Sequence, residues 1–171
     1  MQLREDRKPL LEIVRCALFA GIALVIFAVE ACIPVPVPIP GIKLGLANVV
    51  TLVAVYVFGK KQAFMILVVR ILLGNLMMGQ MMALIYSLAG GMLCYAVTVI
   101  LKPCFNGKSI WALGTLGAIF HNIGQLACAY FMLGKGSIFY YGFILTGVAC
   151  ITGTFTGIAA QSIILHKHFK K

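Results

Sequence analysis

Acid is nearly absent from this chain. Only Glu5, Asp6, Glu12 and Glu30 carry carboxylates among 171 residues, and three of the four fall within the first twelve. A single aspartate excludes a site built on clustered aspartates, the arrangement that a hard, oxygen-seeking cation needs. The six cysteines (Cys16, Cys32, Cys94, Cys104, Cys128, Cys150) form no C-x-x-C pair, and most lie in apolar runs. They read as small embedded side chains, not as a metal site or a disulfide framework. No glycine-rich phosphate loop ending in Lys-Ser/Thr occurs, so an ATPase is not expected in this chain. The opening MQLREDRKPLLEIVR is basic but lacks a small-residue cleavage site after a short core. It reads as a cytoplasmic flank ahead of a retained helix.

Charge as a whole is scarce. Charged residues make up 11% of the chain and hydrophobic ones 62%, with a mean hydropathy of +1.05. A soluble domain carries about 25% charged residues. The composition therefore predicts an all-α integral membrane protein, one helical bundle spanning residues 1–171. Six transmembrane helices are expected over 10–33, 44–58, 62–78, 81–101, 110–133 and 138–165. A flank at 1–9, an outer loop at 34–43 and a basic tail at 166–171 complete the layout. The net charge of +10 does not point to nucleic acid, because the basic residues gather at helix ends and in connections. Six spans put both termini on one side. That side holds Arg4, Arg7, Lys8, Arg15, Lys60, Lys61, Lys102, Lys108, Lys167, Lys170 and Lys171, and the other holds Lys43 and Lys135. The bias makes both termini cytoplasmic in a plasma membrane.

The chain is organised around IPVPVPIPGIKLGLANVV, residues 33–50. Prolines at 34, 36, 38 and 40 remove backbone donors and fix φ, so this stretch cannot be helical. The charge bias puts it on the outer side, as a lid-like loop leading into a pocket.

Polar groups at membrane depth need a partner or a cavity, since each charge there costs at least about 2.5–3.5 kcal/mol. Glu30 is the one acid able to lie within the bundle, and Arg70 the one fully intramembrane arginine, on a helix that also offers Asn75. Lys43 precedes the second helix, where free backbone donors favour an anion. Two uses fit these groups. Glu30 pairs with Lys43 or Arg70 to hold the loop down, or the two cations meet an anionic or polar ligand. On the fifth helix His121 and Gln125 share a face with Gly114 and Gly117, and Asn122 stands beside them. The cluster serves either packing or ligand contact. A metal is not expected, as no second histidine or thiolate pair stands at ligand spacing. The candidate site is thus Lys43, Asn48, Arg70, Asn75, His121, Asn122, Gln125 and Glu30. Ala17, Ala20 and Gly21 on helix one, and Gly153-x-x-x-Gly157 on helix six, allow close approach of another helix. Met77, Met78, Met81 and Met82 read as a cavity wall.

PGIKLGLAN, RILLGNLMMG, SLAGGM and HNIGQL, with a TG-containing last helix, resemble the Gx transporter family, also labelled heptaprenyl diphosphate synthase component I. The likeness covers roughly residues 30–160. More loosely, the region resembles substrate-binding S components of energy-coupling-factor transporters. That likeness implies a non-enzymatic, six-helix subunit with no cofactor, binding a small molecule (vitamin-like, flavin, or isoprenoid or quinone) beneath the loop after helix one. It implies a coupling subunit and ATPases in trans, contacted through Ala17, Ala20 and Gly21, with membrane lipid around the bundle. Two other expectations attach to the family: a quinone- or flavin-linked electron-transfer subunit, and a non-catalytic membrane partner of a prenyl diphosphate synthase.

Overall fold

The computed structural model of the protein describes residues 7–33, 42–105, 107–134 and 138–168. The flank at 1–6, the proline run at 34–41, Lys135 and the end of the basic tail lie outside the described residues. Within them the chain forms six α-helices: α1 (Arg7–Ala31), α2 (Asn48–Val57), α3 (Lys60–Met77), α4 (Met81–Leu101), α5 (Ile110–Leu133) and α6 (Ile138–His168). No strand occurs among the described residues. Two single 3₁₀ turns, Lys102–Cys104 and Gly107–Ser109, connect α4 to α5.

The short helix is the centre. α2 touches each of the other five helices. One of its faces packs Val50, Ala54 and Val55 on Ala20 and Ala23 of α1 and Ala63 and Ile66 of α3. The opposite face packs Leu52 and Val53 on Ile110 and Leu113 of α5 and Ala160 and Ile164 of α6. A helix apolar on every side belongs inside a bundle. Ten residues rise only about 15 Å, half the hydrocarbon thickness. Both ends of α2 therefore stop within the protein, where free backbone groups need partners.

Charged side chains from elsewhere supply them. Ala47 precedes the helix with no side-chain cap of its own. Glu30, near the end of α1, accepts the Gly45 N–H on Oε1 and the Ala47 N–H on Oε2, the latter at 3.3 Å. At the other end Lys102 Nζ donates to the Val55 carbonyl at 2.9 Å, and Tyr56 Oη donates to the Phe105 carbonyl. An anion at the N-terminus and a cation at the C-terminus both suit the helix dipole. Lys102→Met should therefore destabilise the bundle by about 1–3 kcal/mol, because the Val55 carbonyl loses a charged donor. Denaturant unfolding in mild detergent measures it.

α5 and α6 lie closest together, and glycine permits it. A Cβ on Gly114 would stand 2.5 Å from Gly157 Cα, and one on Gly153 would stand 2.8 Å from Thr115 Cα. Thr115 and Thr154 share a hydroxyl hydrogen bond of 3.1 Å across the same seam. The Gly153-x-x-x-Gly157 face is thus used within the chain. At one end of the bundle Trp111 N–H donates to Gln161 Oε1 at 3.2 Å, Tyr95 Oη donates to the Lys60 carbonyl at 2.8 Å, and Gln62 donates to Glu12. With the Lys102–Val55 bond, these gather the α1, α3 and α5 N-termini and the α2, α4 and α6 C-termini, with Arg15, Lys60, Lys61 and Lys102, at one end.

Among the described residues, three stretches of helix are long and apolar enough to cross a membrane: Leu10–Ala31, Met81–Cys104 and Gly142–His166. They give the chain the make-up of a membrane protein. The expectation was six. Of the other helices, α2 is too short, α3 carries Lys60, Lys61 and Arg70, and α5 carries His121, Asn122 and Gln125.

Candidate functional site

Most of the predicted polar residues converge above the N-terminus of α2. The chain approaches through residues 42–47, buried apart from the half-buried Leu46. Gly45 takes φ +81°, and a Cβ on it would stand 2.9 Å from both Asn48 Nδ2 and His121 Cδ2. Both the backbone conformation and the space demand glycine at that position.

Around this turn the side chains interlock. Arg70 Nη2 donates to Asn48 Oδ1 at 3.0 Å. The Lys43 backbone N–H donates to Gln125 Oε1 at 3.4 Å. Lys43 Nζ lies 3.4 Å from the centroid of the Phe27 ring, a cation–π contact with α1.

A glycine pair on α4 lets two helices reach this point. A Cβ on Gly90 would meet the His121 carbonyl oxygen at 2.7 Å and Nδ1 at 2.9 Å, and one on Gly91 would approach Arg70 Nη2. Arg70 comes in from α3 on one side and His121 with Gln125 from α5 on the other. Sequence reasoning missed Gly90-Gly91 as part of the site. The signal was there, since two adjacent glycines in the middle of an apolar helix mark a close approach. Thr51 and Phe27 were missed as well, and nothing in their sequence context marks them.

Arg70 and Gln125 are fully or almost fully buried, as are Lys43, Asn48 and His121. Yet Lys43 Nζ, Asn48 Nδ2, Thr51 Oγ1, Arg70 Nε, Gln125 Nε2 and both ring nitrogens of His121 make no hydrogen bond. A buried polar atom left unpaired costs about 1–3 kcal/mol. Seven such atoms gather around this one turn. Beneath it a cavity of about 10 Å³, lined in part by Asn48, Thr51, Thr98 and Gly117, has room for one water.

Glu30 has a different part from the one expected. Its two oxygens accept backbone N–H groups, and no ion pair within 4.0 Å joins it to Lys43 or Arg70. It fills the anion position at the α2 N-terminus itself. Asn75 donates to the Ile71 carbonyl at 2.8 Å on its own helix, leaving Oδ1 unpaired. It neighbours Gly74, whose Cβ would stand 2.7 Å from the Phe27 ring that carries Lys43. Asn122 leaves the group, because its Nδ2 donates to the Leu145 carbonyl of α6 at 2.9 Å. Gly117 and Gly114 serve neighbouring helices, Gly117 against Cys94 of α4 and Gly114 against Gly157 of α6. On α1, Ala17 and Gly21 stand on the exposed face beside Leu18 and Ile22. Ala20 is turned into the core against α2 and α3, so it is withdrawn from that outer face. No group of three or more His, Cys, Asp or Glu able to hold a metal occurs among the described residues.

No curated protein and no solved structure matches this chain. A family profile described as heptaprenyl diphosphate synthase component I matches residues 19–163. That match takes in α2 to α5 whole, about half of α1, most of α6, and each residue of the polar group. The chain belongs to the heptaprenyl diphosphate synthase component I family.

Proposed function

We propose that the protein is a non-catalytic, six-span membrane subunit that binds one small anionic molecule at the polar group above α2. The observation that carries this reading is the excess of unpaired donors around Gly45. Among the described residues Lys43 and Arg70 are countered by one acid, Glu30, whose oxygens are committed to the backbone. That leaves one net positive charge and four donor-bearing side chains, Lys43, Asn48, Arg70 and Gln125. A carboxylate or phosphate group answers both needs. The span count rests on treating 42–57, extended chain plus half-helix, as one crossing. In that arrangement the N-terminus of a broken helix faces the ligand at membrane depth, a common transporter device. The basic end of the bundle would face the cytoplasm. Transport would then require a coupling subunit and ATPases supplied by other chains.

A second reading is a membrane partner of a prenyl diphosphate synthase, and the family description favours it. The chain's single aspartate makes it a binding or anchoring partner there, not the catalyst. In both readings the anion meets the same residues.

The test is native mass spectrometry of the protein released from mild detergent, followed by binding of the molecule so identified. Lys43→Gln should weaken that binding by about 1.5–3 kcal/mol, the worth of a charged hydrogen bond. A neutral or cationic ligand, or affinity indifferent to Lys43→Gln, would end the anion reading.

A further inference from the structure

The tip of the α3–α4 hairpin carries chemistry that the polar group does not use. The chain reverses there over residues 78–80. The Gly79 N–H donates to the Leu76 carbonyl and the Gln80 N–H to the Asn75 carbonyl, each at 3.1 Å, and Gly79 takes φ +64°. Two methionines stand on each side of this turn. Met77 and Met78 close α3, and Met81 and Met82 open α4. Four of the chain's eight methionines thus fall within residues 77–82. They do not form the expected cavity wall, because all four are exposed, by between 39% and 78%. The tip lies at the end of the bundle opposite the one that gathers Lys60, Lys61 and Lys102, since α3 starts and α4 finishes at that basic end.

Lipid contact alone does not require methionine. About one turn further into the bundle, the exposed side chains of the same two helices are Leu72, Leu73 and Leu76 on α3 and Ile85 on α4. Branched aliphatic groups serve that surface, and the change to thioethers coincides with the turn. Methionine differs from leucine in its unbranched, freely rotating stem and its polarizable sulfur. Four such stems rooted on both sides of one tight turn can bring their sulfurs to a common point. The absence of other donors narrows the choice of ion. No Asp or Glu follows Glu30 anywhere in the sequence, and no His or Cys occurs between Cys32 and Cys94. A hard cation, which needs oxygen ligands, finds no carboxylate on this hairpin. A neutral set of thioethers selects a soft cation such as copper(I).

We propose that Met77, Met78, Met81 and Met82 form a binding site for a soft monovalent cation, copper(I) or its congener silver(I), held by their thioether sulfurs. The site goes beyond the anion reading and needs no part of it.

The probe is silver(I) nitrate in chloride-free buffer, added to the full-length protein in lipid nanodiscs. The methionine methyls carry an isotope label for NMR, and the exposed thiols of Cys32, Cys104 and Cys150 are blocked with N-ethylmaleimide. Met65 and Met92 are exposed on the same two helices, about 15 Å or more along them from the cluster, and serve as controls in the same spectrum. The four hairpin methyls should shift together and saturate at a concentration that leaves both controls unmoved. Copper(I), kept reduced with ascorbate, should displace the silver, and magnesium should have no effect. Losing a hydrogen-bond partner of a metal ligand costs about 10–100-fold in affinity, so Met81→Leu, which removes a ligand, should weaken binding at least about tenfold. Met77→Leu combined with Met81→Leu should abolish it. Leucine keeps the volume and apolarity of methionine, so folding should be unchanged, as circular dichroism and gel filtration will report. Equal shifts on every exposed methionine, a response that does not saturate, or binding that survives the double substitution would each overturn the proposal and leave the cluster as lipid contact only.

Discussion

Glu30→Ala should destabilise the protein by about 3–5 kcal/mol, the cost of leaving buried charge unbalanced. The carboxylate is 3% exposed and receives the Gly45 and Ala47 amides. Alanine leaves those two donors without acceptors in a dry site. It also removes the negative charge that, among the described residues, lies near both Lys43 and Arg70. Glu30→Gln keeps one acceptor oxygen and should cost less, about 1–3 kcal/mol. The measurement is denaturant or thermal unfolding in a fixed detergent, with the two variants side by side. If Glu30→Ala unfolds within about 0.5 kcal/mol of the unaltered protein, as a plain surface change does, the anchoring role of Glu30 is wrong.

The second large effect belongs to the α5–α6 seam. A Cβ on Gly157 would strike the Trp111 carbonyl oxygen, with Trp111 Cα at 2.9 Å and its carbonyl carbon at 3.0 Å. These are backbone atoms, so no rotamer change can relieve the clash. Gly157→Val must drive the helices apart, along with the Thr115–Thr154 hydrogen bond and the Trp111–Gln161 cap. The expected loss reaches or exceeds the upper end of the about 1–3 kcal/mol seen for overpacked cores. Gly147→Val supplies the control. It places the same side chain on the same helix where nothing lies within 4 Å of the new Cβ. Gly147→Val should fold and Gly157→Val should fail to accumulate as a monodisperse species. Equal behaviour of the two would mean that the seam is not closed as described.

The ends of α4 and α5 could be read from sequence because local chemistry sets them. Gly79-Gln80 before α4, Lys102-Pro103 after it and Gly134 after α5 are stop signals that need no tertiary partner, and both helices run over the expected residues. The start of α2 could not be read this way. An apolar run from Leu44 looks helical, but Gly45 has positive φ and the helix begins at Asn48. What decides this is a carboxylate fifteen residues upstream, and hydrophobic periodicity carries no trace of it. The same limit applies to the site. Which residues are polar at membrane depth is plain in the sequence, and most of them do converge. Which side of α5 each one faces is a matter of one residue's rotation. Asn122 follows His121 directly, about 100° further round the helix, and that step takes it from the α4 side to the α6 side.

The support of α2 by borrowed charges has a consequence during synthesis. Its N-terminal anchor is already made when α2 emerges from the ribosome. Its C-terminal cation, Lys102, is made 47 residues later. Until α4 has been laid down, the innermost helix is a guest held by one hand, and the last carbonyls of α2 have no charged donor. The core of this protein must therefore close from the outside inward, with the middle fixed only after most of its walls exist.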